Sequence, residues 1–95
     1  MDAREVARLF AAVGDPTRLR LLRFLLQEEH CVSQCTEHVG LSQGAVSKQL
    51  AALADVGLLA RRAVGRRAYY RVSHPGGVRR LLADGEGLAT VREEP

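Results

Sequence analysis

Apolar residues recur along this chain at helical spacing, and glycines or short polar links interrupt them. In residues 2–13, DAREVARLFAAV, Val6, Leu9, Phe10 and Val13 fall at i, i+3, i+4 and i+7, one stripe of a 3.6-residue period. Gly14 ends that helix. Asp15-Pro16-Thr17 starts another, with Asp15 as N-cap and Pro16 in the first helical position. This second helix runs to about Gln27. Leu19, Leu22 and Leu26 form one stripe with Leu21 and Leu25 beside it, so it is expected at the centre of the core. Residues 28–30 form a link. A third helix over 31–39 turns Val32, Cys35 and Val39 inward and breaks at Gly40.

Ser42 is the next N-cap, and a helix follows from about 43 to 56, stopped by Gly57. Val46, Leu50 and Leu53 make its inward stripe. Ser42, Gln43, Ala45, Ser47, Lys48 and Gln49 form a small or polar outer face over its first half. Beyond Gly57 the pattern changes. Residues 58–64 and 67–72 are short β-favouring runs around Gly65-Arg66, which reads as a hairpin. Tyr69 and Tyr70 point to opposite faces, one toward the core. After the turn cluster His74-Pro75-Gly76-Gly77, a last helix at about 77–84 carries Val78, Leu81 and Leu82. The tail 85–95 is either an extension of that helix or disordered. One domain is expected over residues 1–95, with its core at about 5–84: mainly α, with a small β-hairpin.

Charge sharpens this picture. The chain has 14 Lys and Arg against 11 Asp and Glu, a net charge of only +3. Residues 61–71, RRAVGRRAYYR, hold five Arg and no acid, which marks a candidate polyanion-binding stripe. The two helices over 31–54, joined by a Gly-containing turn, have the dimensions of a helix-turn-helix. A recognition helix must pack one apolar side on its predecessor while offering short polar side chains to the major groove. Val46, Leu50 and Leu53 meet the first demand. Ser42, Gln43, Ser47, Lys48 and Gln49 meet the second. Arg66 and Arg67 at the hairpin tip are placed to reach the DNA backbone or an adjacent minor groove.

These motifs resemble the ArsR/SmtB family of winged helix-turn-helix repressors. The matching segments are Gly14–Leu22, Leu41–Leu50, Leu53, Gly57–Leu59 and Gly65–Val72. Together they span roughly residues 5–82. The resemblance implies a homodimer whose first and last helices form the interface, here Val6, Leu9, Phe10, Val78, Leu81 and Leu82. It implies operator DNA as partner, and release of that DNA on effector binding. It also carries DNA contacts onto Ser42, Gln43, Ala45, Ser47, Lys48 and Gln49, with Arg66 and Arg67 in the wing. Gln49 stands where the family often has His.

The segment His30-Cys31-Val32-Ser33-Gln34-Cys35-Thr36-Glu37-His38 overlaps the place where some family members bind soft metals. Ser33 occupies the second Cys position of their Cys-Val-Cys pattern. Cys31 and Cys35, at i and i+4, are expected on one helix face. Three readings stay open: incidental or core cysteines, a soft-metal site with His30 or His38, and a thiol redox switch. Thiolates favour Zn, Cd, Hg, Cu(I) or As(III) over hard cations.

Two cysteines four residues apart make no disulfide framework, which points to a reducing, cytoplasmic location. No stretch approaches transmembrane length. The sequence has no nucleophile–base pair and no phosphate-cradling loop, so an enzyme is not expected. The reading favoured is a sequence-specific DNA-binding repressor, released by a thiol-reactive or soft-metal effector. The alternative is a winged-helix module that works through protein contacts, or through redox chemistry without a metal site.

Overall fold

A computed structural model describes residues 1–91. Its elements are α1 (Ala3–Val13), α2 (Pro16–Gln27), β1 (His30–Cys31), α3 (Val32–Val39), α4 (Gln43–Asp55), β2 (Leu59–Val64), β3 (Arg67–Val72) and α5 (Pro75–Val91). The helix starts follow the local chemistry of the sequence. Asp2 accepts a hydrogen bond from the Arg4 amide at 2.9 Å, Asp15 from Arg18 at 3.0 Å and Ser42 from Ala45 at 3.2 Å. Each satisfies an amide that the first helical turn leaves free. Gly40 stops α3 in the left-handed conformation, at φ 73°, which a side chain resists. That stop lets α4 leave α3 across a short turn.

The strands form a three-stranded antiparallel sheet in the order β1-β3-β2. The link predicted over 28–30 in fact leads into β1, where His30 pairs with Tyr70 and Cys31 with Tyr69. Two residues are too few to reveal a period in the sequence; this strand exists because β3 offers it an edge. The last helix is also longer than predicted. It begins at Pro75 and runs to Val91, through Gly85 and Gly87. Residues 85–91 are therefore helical, while 92–95 lie outside the described residues.

The core gathers Leu21, Leu22 and Leu25 of α2, Cys35 and Val39 of α3 and Val46, Leu50 and Leu53 of α4, closed below by Tyr70, Val72, Val78 and Leu82. Leu19 and Leu26 are half-buried beside it. Val78 and Leu82, expected at a dimer interface, are instead buried inside the chain's own core, because α5 is tied to α2, where Arg79 donates to the Leu26 carbonyl at 3.1 Å and Arg23 to Glu86 at 2.7 Å. Leu9 and Leu81 are half-buried, whereas Val6 and Phe10 remain exposed.

Candidate nucleic-acid interface

The inward stripe of α4 is the predicted one: Val46, Leu50 and Leu53 are fully buried. Ser42, Gln43 and Lys48 are exposed, and Ala45 and Ser47 are half-buried. Gln49 departs from the expected outer face. It is half-buried, and its Oε1 accepts a 2.7 Å hydrogen bond from Arg18 Nε of α2. At about 100° per residue, position 49 lies only about 60° from Val46. It therefore belongs to the flank of α4 that meets α2, opposite the flank carrying Ser47.

The Ser47 flank borders a cleft of about 260 Å³. Its walls are Gln43 and Ser47 of α4, Arg66 and Arg67 of the wing, and Cys31, Val32 and Ser33 at the start of α3. Gly65 turns the wing back at φ 59°, which carries the two arginines to this side. A cleft lined by hydroxyls, an amide and two guanidiniums offers hydrogen-bond donors and positive charge, the complement of a phosphodiester. Ser33, which the sequence marks only as standing where a metal-ligating Cys would be, was not expected at a DNA-facing cleft; the packing of α3 against the wing brings it here.

Arg62, in the same basic run, has other partners. Arg62 bonds the Glu29 carboxylate and holds that carboxyl below its ordinary range. Its guanidinium also lies 5.3 Å from the centre of the Tyr69 ring. Tyr70 is the inward tyrosine. Of the five arginines, Arg62 is thus engaged by Glu29 and Tyr69, while Arg66 and Arg67 line the cleft from the tip of the wing.

The two cysteines occupy different environments. Cys31 is the residue that caps α3, not part of its helical face. Its amide donates to Gln34 Oε1 at 2.9 Å, and its Sγ lies 3.2 Å from Ser33 Oγ. The Ser33 hydroxyl lowers the Cys31 pKa below its ordinary value of 9.0 against the opposing effect of burial, and the Arg67 charge adds to the lowering. Cys35 is fully buried, and burial raises its pKa to about 11. The expected histidine ligands do not converge on these thiols. His30 and His38 stack on Phe24 at 3.8 and 4.0 Å between ring centres, both nearly parallel to it. Each must take its own face of the phenyl ring, so Phe24 stands between them. Among the described residues no group of three or more His, Cys, Asp or Glu could hold a metal ion. The soft-metal set Cys31, Cys35, His30 and His38 is therefore not assembled within one chain.

This arrangement of helices and wing has counterparts. The family model "Bacterial regulatory protein, arsR family" matches residues 15–61. A homodimeric winged helix-turn-helix DNA-binding domain from Mycobacterium bovis, described as a possible ArsR-family regulator, superposes with a TM-score of 0.82. The two are 33% identical, over 96% of this chain and 83% of that one. The chain belongs to the ArsR family. Its fold is the winged helix-turn-helix of that family, a family of regulatory proteins and not of enzymes. A probable mercury resistance operon repressor of Streptomyces lividans is 45% identical over 69 residues, 73% of this chain and 55% of that protein. An SmtB-homologous transcriptional repressor of Synechocystis is 38% identical over 85 residues, 87% of this chain and 64% of its own length. The chain thus spans between half and two thirds of these ArsR-family relatives. No helix among its described residues is long and apolar enough to cross a membrane.

Proposed function

We propose that this chain is a dimeric, sequence-specific DNA-binding repressor acting in the cytoplasm. The cleft between the first half of α4 and the wing carries this reading. Ser42, Gln43, Ala45, Ser47 and Lys48 enter the major groove, and Arg66 and Arg67 hold the adjoining backbone. The names of the relatives, repressors of mercury resistance and of the SmtB type, point the same way. Dimerisation uses the exposed apolar residues of α1 and α5: Phe10 is 52% exposed and Leu88 74%, and a groove of about 370 Å³ between the two helices is lined by Phe10, Val13 and Leu81.

The effector expectation narrows to Cys31. One chain does not supply a metal's ligand set, but Cys31, though only 4% exposed, lines the cleft, and Ser33 and Arg67 lower its pKa. A thiol-reactive effector bound there occupies space that the DNA backbone needs.

Fluorescence anisotropy on a labelled 30-base-pair duplex tests the reading at low and at physiological salt. The wild type binds with a steep salt dependence. Replacing Arg66 and Arg67 by Ala weakens binding at least about tenfold and reduces the salt slope by about two, one for each lost phosphate contact. A wild type with no affinity for a selected or a random duplex would sink the reading, and the protein-contact module would take its place.

A further inference from the structure

The recognition helix is held to the body mainly by an apolar stripe, and such packing is not directional. A smooth stripe leaves a helix free to roll by a few degrees. Among the described residues, one side-chain hydrogen bond joins α4 to another helix: Arg18 Nε to Gln49 Oε1, at 2.7 Å. The same guanidinium turns its Nη1 to the end of α1, donating to the carbonyls of Ala12 at 2.9 Å and Ala11 at 3.4 Å. These are the carbonyls that a helix end leaves unpaired, and the cation also suits the negative end of the helix dipole. Arg18 is fixed in turn at its own backbone, where its amide donates to Asp15 at 3.0 Å. A planar guanidinium with donors in a rigid fork can serve both sides at set angles, which an ammonium cannot.

The helix at the far side of this junction is otherwise held by Leu9 and Val13, which pack only partly buried at the edge of the core. Ala12 is the one buried residue of α1, and the exposed Phe10 and Val6 lie along its free face. The angle of α1 to the body therefore depends on its last turn, where Arg18 is attached.

We infer that Arg18 and Gln49 are positioning residues that set the angle of the recognition helix to α1, and so fix the spacing at which the dimer reads two half-sites. This rests on the DNA-binding dimer proposed above. It gives Gln49 a role other than base recognition. A glutamine reads adenine by accepting and donating at once, and here its oxygen is directed to Arg18.

The test selects a preferred duplex from a random library with the intact chain. It then varies the half-site separation by one to three base pairs. Wild type should prefer its selected spacing by roughly tenfold or more, within the range of coupling between linked sites. Gln49→Met removes the acceptor and should reduce that preference to about threefold or less, with affinity for a single half-site little changed. Gln49→Glu keeps an acceptor for Arg18. It should retain the spacing preference while weakening binding on every duplex alike, through its added negative charge. Arg18→Lys should behave like Gln49→Met. Circular dichroism and light scattering check that fold and dimer persist; if the lysine variant does not fold, the Gln49 pair still decides. If Met and Glu at position 49 lose binding in the same way, or if Gln49→Met keeps the spacing preference, the inference is overturned and the DNA-binding reading stands. If wild type selects no duplex, both fall.

Discussion

Cys31 and Cys35 lie four residues apart, both buried, and they mark two regions of different character. Behind α4, Cys35 is sealed among Leu21, Leu22, Leu50 and their neighbours, and its thiol is kept neutral. In front of α4, Cys31 borders the cleft with Ser33 and Arg67, and its thiolate is favoured. Both side chains are buried, Cys31 at 4% exposure, yet one is surrounded by apolar packing and the other lies at the edge of a polar cleft with its pKa lowered. The difference comes from the strand: β1 draws Cys31 out of the helix and against β3, so the i, i+4 pair never shares a helical face. Spacing along a sequence sets which residues can meet. The neighbouring elements set what chemistry they then have.

Substitutions should separate the two regions. Leu50→Ala removes a fully buried side chain from the rear region and should cost about 3 kcal/mol in urea unfolding. Arg67→Ala, in the front region, should leave stability within about 0.5 kcal/mol and weaken DNA binding instead. A similar loss of stability from both would erase the distinction. Cys35→Ser puts a hydroxyl into the sealed region and should cost about 2 kcal/mol. Cys31→Ser is also buried but places its hydroxyl beside Ser33 as a hydrogen-bond partner, so it should cost less, about 1 kcal/mol. Equal values for the two serines would mean that Cys31 also functions as core.

Much of the rear region was legible in the sequence. Val46, Leu50 and Leu53 were readable because a helical period of apolar residues has one physical solution, burial of the stripe. The caps Asp15 and Ser42 were readable because their chemistry is local. The front region was only partly legible. Its arginines announced themselves as a run without acids, but which of them pair internally depended on Glu29, 33 residues away from Arg62. Strand β1, the separation of His30 from His38 by Phe24, and the inward turn of Gln49 all depend on contacts distant in sequence. No periodicity encodes them. The burial of Val78 and Leu82 was hidden for a related reason: an apolar stripe on a last helix looks the same whether the chain's own core or a second subunit covers it.

The wing offers a smaller test of how far the front region depends on local backbone. Gly65 sits at φ 59° with open space around its Cα. Gly65→Ala should cost about 1 kcal/mol from backbone strain alone, since a new Cβ meets nothing. A cost well above this would mean that the wing is packed into the body and not a free arm. A cost near zero, with DNA binding retained, would mean that the tip can change its turn without losing the Arg66 and Arg67 contacts.

The finest distinction lies in the alkaline limb of stability. Cys35 has a folded-state pKa near 11 against an ordinary 9.0, so its contribution is full below pH 9 and is lost as pH rises toward 11. At pH 9 the loss should be about 0.4 kcal/mol, because the unfolded thiol is then half ionised and the folded one is not. Cys31 has the opposite sign. Its folded pKa lies below 9.0, so its contribution is full above pH 9 and is lost as pH falls through that lower value. In wild type the two partly cancel up to pH 9. Urea unfolding of the single serine variants should separate them. With Cys31→Ser, stability relative to the double serine variant should fall steadily from about pH 8.5 upward. With Cys35→Ser, the same difference should rise as pH approaches 9 and then level off. Parallel slopes in the two variants would mean that the thiols share one environment, and the contrast between the sealed rear of α4 and its open front would not hold at this turn of α3.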